Sequence, residues 1–163
     1  MNTLDERGLT LTELALVGAM GFLVMSAIMA FYMNCQSVWT DASSKSIAQR
    51  EATGLSEHIA EQVHRSAKAL VTEVVLGDPM HCRIELFDQL DPNNAWYTFW
   101  WEPTDSLIHE RAGTAPATTN VTAVVERFRF EGSNELVEMK DLRLRSAEGW
   151  RVSLSTSMAL YNR

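Results

Sequence analysis

The sequence predicts an α+β protein in which a long N-terminal helix packs on an antiparallel β-sheet head. Three observations predict it. No charged residue occurs from Leu14 to Met33. Apolar residues then recur at helical spacing, at Leu55, Ile59, Val63 and Ala67, which makes one face of a helix apolar. From Val71 onward the period changes to two, the signature of half-buried strands.

The chain has 163 residues with a net charge of −7, enough for one folded domain of ordinary size. Charged residues are 21% and hydrophobic ones 46%, a balance that excludes wholesale disorder. The acidic excess argues against a general affinity for nucleic acid, and the basic residues are scattered along the sequence. Four segments follow: 1–8, short and hydrophilic; 9–33, apolar; 34–70, an amphipathic helix; and 71–163, the β-sheet head.

Leu14–Met33 reads LALVGAMGFLVMSAIMAFYM. As a helix this run spans roughly 30 Å, the thickness of a bilayer's hydrocarbon. It is longer than the apolar region of a secretory signal, about 7–15 residues, and no basic segment precedes it. Asp5 and Glu6 precede it with Arg7. No Lys or Arg follows the span until Lys45, which places the N-terminus on the cytoplasmic side. Glu13 at the head of the run is the residue a plain anchor leaves unaccounted for. An ionisable group within hydrocarbon costs about 2.5–3.5 kcal/mol at mid-helix and is rarely left unpaired. At the helix start, its charge also favours the positive end of the helix dipole.

The amphipathic stretch carries Glu57, His58, Glu61, Gln62, His64 and Arg65 around its apolar stripe, joined by Ala60 and Leu70. No proline interrupts Leu9 to Leu70, so one helix of roughly 90 Å is expected, with a bend allowed at Ser43–Ser46. Strands are expected around Arg83–Phe87, Ala95–Trp101, Leu107–Arg111, Phe128–Phe130, Leu142–Leu144 and Trp150–Leu160. Asp91-Pro92-Asn93-Asn94, Pro103-Thr104-Asp105 and Gly132-Ser133-Asn134 supply the turns. Short connections favour an antiparallel meander, whose apolar face covers that of the helix. Val71–Leu76 is either the first strand or the helix end.

Gly8 followed by Leu9-Thr10-Leu11-Thr12-Glu13-Leu14 resembles the processing motif of type IV prepilins and the pseudopilins of type II secretion. The resemblance implies a leader, Met1–Gly8, removed by prepilin peptidase, and methylation of the new amine on Leu9. It implies that Glu13 meets the N-terminal amine of a neighbouring subunit during assembly. The hairpin ending in Trp100-Trp101, with Leu107–Arg111 after it, and the closing Tyr161-Asn162-Arg163 look like the larger minor pseudopilins of the J class. The implied partners are the peptidase, other pseudopilins or pilins, the inner-membrane assembly platform, and membrane lipid before assembly. The implied location is the bacterial inner membrane, with the head periplasmic. A minor pilin of a type IV pilus or DNA-uptake machine is the nearest alternative; a membrane-anchored enzyme or binding domain is the alternative of another class.

Other candidates are weaker. WYTFWW, residues 96–101, is apolar on both strand faces, with Trp96 and Trp100 on one side and Tyr97, Phe99 and Trp101 on the other. Either the strand is covered on both faces, or Trp96, Trp100 and Trp101 contribute to a subunit contact. His58, His64, His81 and His109 lack metal-ligand spacing. Cys35 and Cys82 are expected as free thiols, because a helix between them separates them beyond the roughly 7 Å that a disulfide spans. With no hydrolase elbow, phosphate loop or dinucleotide fingerprint, neither enzymatic activity nor a cofactor is expected.

Overall fold

The computed structural model describes residues 10–119, 121, 123–132, 136–146 and 149–160. The architecture is α+β: helix α1, Leu11–Arg65, and antiparallel sheets. The chain divides into two units, Met1–Asp41 and Ala42–Arg163, and α1 runs from the first into the second.

In the first unit every residue from Leu11 to Asp41 is exposed, including Leu14, Phe22, Ile28 and Phe31. This helix is long and apolar enough to cross a membrane. The hydroxyls of Ser26, Ser37 and Thr40 bond to carbonyls of the helix itself. Ser26 donates to the Phe22 carbonyl at 2.8 Å, and Thr40 to that of Gln36 at 2.9 Å. A side chain satisfied by its own helix asks nothing of the medium around it, which is the condition for crossing hydrocarbon.

In the second unit α1 buries Ser44, Ala48, Ala52, Leu55, Ile59 and Val63, a stripe at spacings of three and four. The backbone stays helical through Ser43–Ser46. The helix ends at Arg65, five residues short of the expected Leu70. Ser66 stops it: its hydroxyl donates to the Gln62 carbonyl at 2.7 Å, and its N–H takes the Val63 carbonyl at 3.0 Å, tightening the last turn. The Ala67 N–H then turns to Phe87, and the expected helical positions Ala67–Leu70 pass into a strand ladder. Pairing with an available strand outweighs their helical spacing, which is a weak determinant by comparison.

Eight strands follow: β1 Lys68–Glu73, β2 Cys82–Phe87, β3 Ala95–Glu102, β4 Leu107–Ala112, β5 Thr118–Thr119, β6 Val124–Gly132, β7 Leu136–Arg145 and β8 Arg151–Ala159. They form two antiparallel meanders, one of β1 to β5 and one of β6 to β8. Together with α1 they enclose one core, in which Ile59, Ile84, Phe99, Phe128, Leu142 and Leu144 are fully buried. The turn at Asp91 forms as expected: its carboxylate accepts the N–H groups of Asn93 and Asn94. The expected turn at Ser133-Asn134 and the closing Tyr161-Asn162-Arg163 lie outside the described residues.

The sheets meet where β1 and β2 approach β6. Phe128 donates its N–H to Met80 at 2.8 Å, and His81 bridges to Phe128 in parallel. Gly132 makes the close approach possible, since a Cβ there would stand 2.9 Å from Cγ2 of Val71. Gly132→Ala is therefore expected to destabilise the head by about 1–3 kcal/mol through overpacking. Urea denaturation should show that loss, and Val71→Ala in the same chain should relieve it.

Cys82 is buried and free, and burial pushes its thiol pKa up. Cys35 is exposed and free.

Candidate functional site

Gly8 and Leu9, the expected processing site, lie outside the described residues. The description begins at Thr10, and Thr10 with Glu13 forms a reciprocal cap. Glu13 Oε2 accepts the Thr10 N–H at 2.8 Å and the Thr10 hydroxyl at 2.9 Å, while Thr10 Oγ1 accepts the Glu13 N–H at 3.3 Å. This Thr-x-x-Glu capping box satisfies two backbone donors that a helix start otherwise leaves unpaired. Both cap bonds to the carboxylate use the same oxygen. Oε1 accepts nothing among the described residues, so a capped Glu13 still presents half of a carboxylate outward. Glu13 heads the exposed apolar helix as expected, and it has a local structural duty as well.

The three tryptophans do not share a surface. A bulge between Leu86 and Phe87 of β2 and the facing β3 breaks the alternation at Trp96. The Trp96 ring comes within 5.5 Å of Tyr97, and its Nε1 donates to Ser66 Oγ at 3.2 Å. Trp96 thus packs toward the helix end, not beside Trp100 as strict alternation requires; an extra residue in one strand re-aims the side chain. Trp101 stacks on His81 with ring centroids 3.6 Å apart. Trp100 alone stays on the outer face, half-buried between His109 (5.7 Å) and the Arg111 guanidinium (5.8 Å).

His81 holds the seam from below. Its Nδ1 lies 2.8 Å from Asp78 Oδ2, and its Nε2 lies 3.1 Å from the Glu126 carbonyl. The hydrogen bond from His81 holds the Asp78 carboxyl below the usual carboxylate range, helped by the Met80 N–H.

Among the described residues the most enclosed acid is Glu110 on β4, 9% exposed. Its Oε2 accepts the Tyr97 hydroxyl at 2.8 Å and lies 2.7 Å from Nε2 of His58, while Thr118 donates to Oε1 at 3.3 Å. His58 belongs to α1 and Tyr97 to β3, so the carboxylate ties the helix to the five-stranded sheet. Burial, and then the Glu110 carboxylate, push the Tyr97 phenol well above its ordinary value. A raised pKa means that folding favours the neutral phenol. Its contribution is whole below the unfolded value of about 10 and is lost as the pH rises toward the folded one. The head is expected to weaken between about pH 9 and pH 11.5, and Tyr97→Phe should weaken less over that range in urea titrations.

One surface was invisible in the sequence. Arg127, Arg129, Lys140, Arg143, Arg145 and Arg151, scattered in sequence, gather on the outer face of the three-stranded sheet and account for six of the 14 Lys and Arg residues. Like charges stand directly opposite twice, Arg127 with Arg143 and Arg145 with Arg151, an arrangement that repels unless bridged. Bulges supply the bridges. Glu126, the extra residue between Val125 and Arg127, holds Arg151 at 3.0 Å and Arg145 at 3.5 Å. Asp141, in the bulge between Met139 and Leu142, holds Arg127 at 3.1 Å and Arg143 at 3.5 Å. Alternation of Arg with Phe and Leu along β6 and β7 was the available signal, but the pairing of the strands makes it a patch.

No family model, characterised protein or solved structure matches the chain.

Proposed function

We propose that this chain is a minor subunit of a type IV pilus-like filament, of the pseudopilin kind that serves type II secretion and most like its J class. Prepilin peptidase removes Met1–Gly8 and methylates Leu9. The apolar helix holds the subunit in the inner membrane, N-terminus cytoplasmic and head periplasmic, until the assembly platform draws it into a filament. The head then contacts sibling pseudopilins near the tip.

The observation that carries this reading is Gly8 followed five residues later by Glu13, directly before an uncharged run that forms an exposed, self-satisfied helix. A carboxylate at the head of such a helix is costly alone, and an amine from a neighbour removes much of that cost. Oε1 of Glu13, which accepts nothing among the described residues, supports the same reading. The subunit is read as structural, not enzymatic: the Glu110 carboxylate, the group best suited to acid–base work by burial, is taken up by Tyr97, His58 and Thr118.

The test is an intact-mass measurement on membrane-extracted protein from cells with and without the peptidase. Loss of the eight leader residues and gain of one methyl is the expected result with the enzyme present. A chain that still begins at Met1 in those cells overturns the reading.

A further inference from the structure

We infer that the outer edge of β8 takes an extended segment of another polypeptide as a fourth strand, with a carboxylate of that segment seated against Arg145 and Arg151. This deepens the filament reading by giving the head's partner a chemistry, yet it stands on the geometry of the head alone.

The three-stranded sheet has two edges of unlike character. The β6 edge is closed by the other sheet, through the Phe128–Met80 hydrogen bond and the His81 bridge. Among the described residues β8 pairs with β7 alone, so alternate N–H and C=O groups along its outer side lack a strand partner, up to the Ala159 carbonyl, which lies 2.7 Å from Nδ1 of His64 on α1. Natural sheets protect such an edge with charges, prolines or a bulge in the edge strand. From Val152 to Ala159 the sequence is VSLSTSMA, without charge or proline, and the nearby bulge has its extra residue in β7. The usual protections are missing where they are most needed.

Both faces of the edge say what fits. On the inner face, Val152 and Leu154 reach the core but remain only half-buried. Apolar residues at alternate positions of an added strand would cover them, as strand addition generally does. On the outer face Arg145 and Arg151 stand opposite each other and share Glu126, each approaching through Nε. Among the described residues one carboxylate serves the two guanidinium groups, and an acidic residue of an added strand would pair with them across strands at the start of β8.

The same features select among occupants. A second copy pairing β8 on β8 brings no carboxylate, since Val152–Ala159 has none. A nucleic acid would meet Glu126, Glu131, Glu138 and Asp141 on the same face and would repel them. An extended peptide with alternating apolar and acidic residues satisfies the edge, the inner face and the arginines together.

The experiment uses the full, unprocessed chain in detergent micelles, so its outcome is independent of cleavage at Gly8. Fluorescent peptides as long as β8 serve as probes: one alternating Glu with Val, one alternating Lys with Val, and the Glu peptide N-methylated at alternate backbone nitrogens. A short single-stranded oligonucleotide is the fourth probe. The Glu peptide is expected to bind at least tenfold more tightly than the Lys peptide, and N-methylation, which removes strand hydrogen bonds without touching the protein, should cost at least tenfold. Arg145→Gln with Arg151→Gln should abolish the preference for the Glu peptide over the Lys peptide, with a retained cooperative thermal transition as the check on folding. Failure of the Glu peptide to bind, binding indifferent to N-methylation, or tighter binding of the oligonucleotide overturns the inference.

Discussion

Glu13→Gln is expected to lose filament incorporation by about a hundredfold or more while keeping its helix, and Thr10→Val to fray the first helical turn while still entering filaments. The two substitutions separate the cap, which the structure shows, from the proposed pairing with a neighbour's amine. As a cap, Glu13 needs an acceptor oxygen for the Thr10 N–H, and glutamine provides one equally well in a capping box. As a partner for a neighbour's amine it needs its charge, which glutamine lacks. An amine left unpaired in a low-dielectric setting costs about 3–5 kcal/mol, and about 1.4 kcal/mol is a factor of ten. Losing the Thr10 cap costs only about 0.5–2 kcal/mol at one helix end. Quantifying the chain in sheared filaments measures the first effect, and far-UV circular dichroism in micelles the second. If Glu13→Gln assembles normally and Thr10→Val does not, Glu13 serves the helix start alone.

Phe128→Ala should produce the largest loss of stability in the head. The ring is fully buried and lies edge-on to Phe130 with centroids 4.7 Å apart. Its backbone forms the hydrogen bond that joins the two sheets, so the strand cannot move away from the cavity without breaking that joint. Large-to-small changes of a buried phenylalanine cost about 3–5 kcal/mol, a large share of the roughly 5–15 kcal/mol that holds most domains folded. Tryptophan fluorescence during urea denaturation is the appropriate measurement, because the apolar helix keeps its ellipticity in micelles. A loss below about 1 kcal/mol would mean that the site collapses around the missing ring and that the sheet seam is softer than its hydrogen bonding indicates.

Much of the fold was legible because it rests on periodicity. The strands at β2, β3, β4 and β8 fall within a residue or two of the positions their alternation implies, and the apolar stripe at Leu55, Ile59 and Val63 is buried. Legibility failed where one residue breaks the period. At Trp96 a bulge turned the ring toward Ser66; at Ser66 a hydroxyl and a waiting β2 ended the helix before Leu70. Neither event has a sequence signature, because each depends on a strand that arrives from elsewhere in the chain. The site divides in the same way. Glu13 was singled out from local order alone, whereas the arginine face emerges only when β6, β7 and β8 lie side by side.

By itself the sequence determined what water and short-range geometry decide: an uncharged segment long enough to cross a membrane, a carboxylate at its head, and a sheet-rich remainder. These follow from composition and from spacing along one chain, where neighbours are covalently given. Only the tertiary structure decided which strand edge stayed open, which aromatic ring turned inward, and which positive charges became neighbours. Those outcomes depend on register between segments far apart in sequence, and a single bulge changes which face a side chain occupies.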